Sequence, residues 1–197
     1  MLKPRYAALG LVLMCAMLSA SAAQDTQKSD SKPTLPAKYE ATAIDPKGTM
    51  GTKAFGLTMY VDALSSDAQI RELSGILKEK GQDGLVKAMQ NMKDQGRLSS
   101  AEDSGFGMRV VTMLPNKQGG QHVVFVTDRP INFKDVVGSS RSRDYPFGIV
   151  VLDVDENGKG TGVFAPACSL KFNEKNELEM ERYGTQPYRL ENVYLQK

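Results

Sequence analysis

Asp153-Val154-Asp155-Glu156-Asn157-Gly158 is the run of residues best suited to holding a cation. Three oxygen-bearing side chains at alternate positions, then a glycine where the backbone must turn, match the first half of a calcium loop. The second half fails, because the twelfth position is Phe164, where a bidentate glutamate is needed. Asn157-Gly158 between two apolar runs is also a strong hairpin signal. The expectation is a plain hairpin with no metal site, Asp153, Asp155 and Asn157 being only a weak candidate loop.

Nucleophile chemistry has few residues to draw on. His122 is the single histidine, and Cys168 is the one cysteine outside the first 23 residues. Cys168 alternates in phase with Phe164, Leu170 and Phe172, which puts the thiol on an apolar face, where a free cysteine behaves as a small hydrophobe. His122 follows the Gly119-Gly120 turn. One His and one Cys fall short of a zinc set. No G-x-S-x-G elbow, P-loop or dinucleotide fingerprint occurs, and Gly105-Phe106-Gly107 lacks the third glycine of a phosphate loop. No catalytic residue and no cofactor is expected.

The segment Gly138–Pro146, GSSRSRDYP, is the polar-aromatic loop of the chain. Arg141 and Arg143 are placed to form an anion fork, and Tyr145 offers a stacking face. The plainer alternative is a solvated loop with an Arg143–Asp144 charge pair. Arg141, Arg143 and Tyr145 are the candidate ligand-binding residues.

These groups must be positioned by sheet. Phe55, Leu57, Met59, Val61 and Ala63 alternate with Gly56, Thr58, Tyr60 and Asp62, the period-2 pattern of a half-buried strand. Further strands are expected at Tyr39–Ile44, Met108–Leu114, His122–Thr127, Phe147–Val154, Gly162–Phe172, Glu177–Tyr183 and Arg189–Leu195. The turn sequences NKQGG, ENGKG and NEKN join adjacent runs and force antiparallel neighbours. Ile149 to Leu152 is continuously apolar, as a strand covered on both faces requires. Between strands the period changes. Ser66 and Gln69 form a capping box ahead of Ile70, Leu73, Ile76 and Leu77 at helical spacing. Leu85, Val86, Met89 and Met92 make a second apolar stripe, expected to be core. Gly81-Gln82-Asp83-Gly84 reads as the connection between two helices.

The amino terminus is built for export. Lys3 and Arg5 precede an apolar run from Tyr6 to Leu18, and small residues crowd Ser19–Ala23. That is a signal peptide over residues 1–23, with cleavage between Ala22 and Gln24, and its apolar core is shorter than the roughly 20 residues of a spanning helix. Residues 24–38, QDTQKSDSKPTLPAK, are polar and proline-bearing, a flexible linker that cannot bury enough apolar surface to order itself. One domain is expected over residues 39–197. The full chain has a formal charge of +2, which loss of Lys3 and Arg5 brings to zero. A neutral chain without a basic stretch does not suit nucleic acid.

In this order, GQDGLVKAMQNMKDQGRL, TDRPINF, RDYPF and QPYRLENV resemble a family of small secreted bacterial proteins of uncharacterised function. The resemblance covers most of the chain after about Tyr39 and implies a bacterial exported protein with a single domain. It carries no functional residues.

The fold expected is α+β, a largely antiparallel sheet with two consecutive helices packed on one face. The function expected is a non-enzymatic exported module in the periplasm or outside the cell. It would bind a protein, an envelope component or a small ligand, with no transmembrane segment after signal cleavage. The alternative is a hydrolase-like enzyme assembled only by the fold, from Asp128, Arg129, Arg143 and Asp144.

Overall fold

The computed structural model describes residues 33–45, 54–101, 103, 105–117, 119–132, 144–173, 176, 178–182 and 187–196. The signal-peptide expectation and most of the linker lie outside them. The chain runs through β1 (Ala37–Ile44), β2 (Ala54–Val61), α1 (Asp67–Gln90), β3 (Gly96–Ser100), β4 (Phe106–Met108), β5 (Val110–Pro115) and β6 (Gln121–Val126). It continues through β7 (Phe147–Val154), β8 (Lys159–Phe172), β9 (Leu178–Arg182) and β10 (Tyr188–Gln196).

All strand pairs are antiparallel, in the order β4-β3-β2-β1-β10-β8-β7-β6-β5, with β9 added to the far end of β8. The two ends of this order, β4 and β5, are consecutive in the chain and separated only by Arg109. The sheet therefore curls until its edges meet, a nearly closed barrel. The seam is laced from the loop after β2, where Ser65 N–H donates to the Val111 carbonyl at 2.8 Å and Val111 N–H donates to Ser65 Oγ at 3.2 Å. Closure removes the free edges that an open sheet would leave.

This overturns the α+β expectation. The fold is mostly β, with one helical element instead of two consecutive helices. Within α1 only Gly81 leaves helical geometry, at φ 65° and ψ −167°. The segment read as a four-residue connection is a single-residue kink. Gly84 stays in the helix, and there a Cβ would overlap the Lys80 side chain. Each glycine thus has its own reason: Gly81 supplies a left-handed φ, and Gly84 supplies room.

Period-2 alternation gives the barrel its filling. Tyr39, Leu57, Met59, Leu98, Val111, Phe125, Val150, Leu152, Phe164 and Leu190 come from eight strands and pack together in the interior. A second cluster lies outside the wall, where Leu77, Leu85 and Met89 of α1 cover Val110, Val124, Phe147, Ile149, Cys168 and Leu170. Strand β7 serves both: Val150 and Leu152 face inward, Ile149 and Val151 face the helix. This is why its apolar run is unbroken. The capping box is formed, with Gln69 N–H donating to Ser66 Oγ at 3.2 Å and Ser66 N–H donating to Gln69 Oε1 at 2.8 Å.

Strand β8 breaks the simple alternation. Ile149 pairs with Ala165 but Phe147 pairs with Cys168, so β8 carries an extra residue at this point. The bulge, at Pro166, moves β8 from one apolar cluster to the other. Phe164 belongs to the interior, whereas Cys168 and Leu170 sit under the helix. Past the bulge β8 leaves β10 and pairs with β9.

Candidate functional site

The divergence of β8–β9 from the barrel and the kink of α1 leave a cleft between them. Its volume is about 500 Å³, within the range of small-molecule sites. The half-buried Phe172 gives it apolar surface, backed by the buried Leu77 and Leu170. Lys78, Gln82, Tyr145, Ser169, Lys171 and Glu181 supply polar groups, and Gly81 and Asp144 complete the lining.

The kink shapes one wall. Leu77 and Lys78 stand in the last turn before Gly81, and Gln82 follows it directly. Gln82 Nε2 donates to the Asp144 carbonyl at 3.2 Å, tying the helix to the Asp144–Pro146 approach to β7. Its Oε1 is buried with no hydrogen-bond partner among the described residues. An acceptor left so costs about 1–3 kcal/mol.

The two lysines differ in their surroundings. Lys171 Nζ donates to Glu181 Oε2 at 3.1 Å, and that hydrogen bond holds the ammonium above its ordinary pKa. Lys78 Nζ lies 4.7 Å from the centroid of the Phe172 ring, a cation–π contact, and has no carboxylate partner among the described residues.

Of the residues expected from sequence to bind a ligand, Tyr145 lines this cleft, half-buried. Arg141 and Arg143 lie outside the described residues. The sequence reading missed Lys78, Gln82, Ser169, Lys171 and Glu181. Lys78 and Gln82 are close in sequence, but nothing local pairs that part of α1 with the far end of β8.

The Asp153–Gly158 run is the β7–β8 hairpin. Asp155 N–H donates to the Lys159 carbonyl at 2.8 Å and Gly158 N–H to the Asp155 carbonyl at 3.0 Å, with Gly158 at φ 74°. This is a three-residue loop ending in a left-handed glycine. The candidate oxygens are spent on the loop itself. Asp155 Oδ1 accepts from the Asn157 and Lys159 N–H groups at 2.8 and 2.9 Å, which holds its carboxyl below the usual aspartate range. Asp153 Oδ1 accepts from Asn116 Nδ2 at 2.7 Å. Asn157 is exposed on the turn. Among the described residues no group of three His, Cys, Asp or Glu side chains is arranged to hold a metal.

Of the residues of the hydrolase alternative, Arg143 lies outside the described residues and the other three are engaged separately. Asp128, with a side chain 9% exposed, pairs with Arg109 Nε at 3.4 Å. Arg109 also donates to Asp94 Oδ1 and to the Met92 carbonyl, each at 2.8 Å, so this cluster clasps the barrel seam. The Arg129 guanidinium lies over the Phe106 ring at 5.4 Å. Asp144 borders the cleft. Cys168 Sγ is buried 3.4 Å from the Phe147 carbonyl, while His122 Nδ1 lies 3.6 Å from Asp153 Oδ1 at the hairpin. Thiol and imidazole have different neighbours and form no pair.

No family model matches the chain, and neither a curated protein nor a solved structure matches it. Among the described residues no helix is long and apolar enough to cross a membrane.

Proposed function

We propose that this protein is an exported, non-enzymatic binding module of the bacterial envelope or surrounding medium, and that a small ligand occupies the cleft between the α1 kink and β8–β9. Export rests on the composition of residues 1–23. The observation that carries the site is the meeting of the Phe172 ring, backed by the buried Leu77 and Leu170, with unmatched polar groups in one cleft of about 500 Å³. Among the described residues Lys78 has no carboxylate partner and Gln82 Oε1 has no donor. Such groups suit recognition without chemistry. The barrel interior is filled by its own side chains and serves as the scaffold.

The test is to purify the mature protein from the envelope and medium of a producing bacterium and extract bound small molecules for mass spectrometry. Intact mass is expected to lack Met1–Ala22 or Met1–Ala23. A ligand is expected to co-purify with the wild type and to be lost from a Ser169→Phe variant that fills the cleft. Equal retention by that variant removes the cleft from the account.

A further inference from the structure

We propose that the ligand of this cleft is an anion with an apolar body, and that Lys78 is the residue that reads the negative charge. This rests on the cleft being a small-molecule site, and it adds the chemical class.

Charge partition across the cleft separates its two lysines. Lys171 is already neutralised by Glu181 at 3.1 Å, and a ligand anion there would compete with a formed pair. Lys78 is exposed, and its one described interaction is with the π face of Phe172 at 4.7 Å. A cation so placed keeps its capacity for hydrogen bonding to an anion. The ring that holds it is itself part of the apolar lining, beside Leu170 and Leu77. A ligand whose apolar body meets the half-buried Phe172 ring therefore presents its polar end to Lys78. A cationic ligand meets the opposite situation. Lys78 repels it, the carboxylate of Glu181 is held by Lys171, and Asp144, the other carboxylate of the lining, is itself engaged. A neutral apolar ligand gains the surface but leaves the ammonium without a counter-ion.

The probes are 8-anilino-1-naphthalenesulfonate and N-phenyl-1-naphthylamine, which share one aromatic body and differ in the sulfonate. Affinities are measured by fluorescence titration on the folded mature protein, with its thermal midpoint recorded alongside. Wild type is expected to bind the sulfonate at least roughly tenfold more tightly, the scale of one charge-assisted contact. Lys78→Gln is expected to bring the sulfonate down to the level of the neutral probe while the protein stays folded, its thermal midpoint falling by no more than the loss of one exposed cation–π contact explains. Lys93→Gln, which removes an exposed lysine outside the cleft, is expected to keep the preference. Equal affinities in the wild type, or a preference that survives Lys78→Gln, overturn the anion assignment and leave the cleft as a site. Binding of neither probe removes the anion assignment together with the reading of the cleft on which it rests.

Discussion

Lys78 and Phe172 meet across the junction of helix and sheet, the ammonium 4.7 Å from the ring centroid. They are distant in sequence, on α1 and at the last residue of β8, and Gly81 lies one turn beyond Lys78. The contact joins the barrel's outer helix to the strand that leaves the barrel.

The kink fixes the sign of a glycine substitution. Replacing glycine by alanine in an exposed straight helix stabilises by roughly 0.5–1 kcal/mol. Gly81 is exposed, and open space surrounds the place of its Cβ, so only backbone conformation opposes alanine. With φ at 65°, Gly81→Ala is expected to destabilise by about 1–2 kcal/mol in urea unfolding. Stabilisation instead would mean that the helix is straight.

The seam clasp yields a second expectation. Arg109→Met leaves the buried Asp128 carboxylate without its cation and is expected to cost about 3 kcal/mol, near the lower end for breaking a buried pair because Arg109 is partly exposed. Adding Asp128→Asn is expected to restore part of this loss, since the stranded charge disappears. Additive losses in a double-mutant cycle by chemical denaturation would show that the two residues do not interact.

Much of the strand pattern was legible because alternation is local. Phe55–Val61 and Phe147–Val154 announced themselves, and the Ser66–Gln69 capping box was readable three residues at a time. The barrel was not, because its closure depends on pairing β1 with β10 and on joining β4 to β5 through Arg109. Strand β3, Gly96–Ser100, has only Leu98 as an inward apolar residue and gives little periodic signal. Cys168 was placed correctly on an apolar face, but with Phe164 as its companion. The Pro166 bulge puts the two on opposite sides of the wall. Of the cleft, Tyr145 was anticipated as a ligand contact and Asp144 only within the hydrolase alternative, because loop composition marks polar aromatics and charges and says nothing of which helix packs beside them.

Asp155 sets a pH dependence. Its folded pKa is depressed, so its stabilising contribution is present above the unfolded aspartate value of about 3.9 and is lost as pH falls through the lower folded value. The gap in thermal midpoint between wild type and Asp155→Ala is expected to be widest at neutral pH and to shrink in acid. A chelator is expected to leave the wild-type midpoint unchanged. A gap that widens in acid, or a chelator effect abolished by Asp155→Ala, contradicts the hairpin assignment.

Cys168 is fully buried in the cluster beneath α1. Its labelling by a thiol reagent is expected to be slow in the native state and to track opening of the helix from the wall. Gly81→Ala is expected to accelerate it, since the kinked helix covers the thiol. Rapid labelling of the native wild type would place the thiol at the surface instead.

The most direct measurement is an amide and side-chain NMR titration of the ¹⁵N,¹³C-labelled mature protein with 8-anilino-1-naphthalenesulfonate. The account predicts saturable shifts concentrated at Leu77–Gln82, Tyr145 and Ser169–Phe172, with the outer wall around Tyr60 and Tyr194 unmoved. Shifts centred on that wall or the absence of any saturable change would contradict the cleft as the binding site.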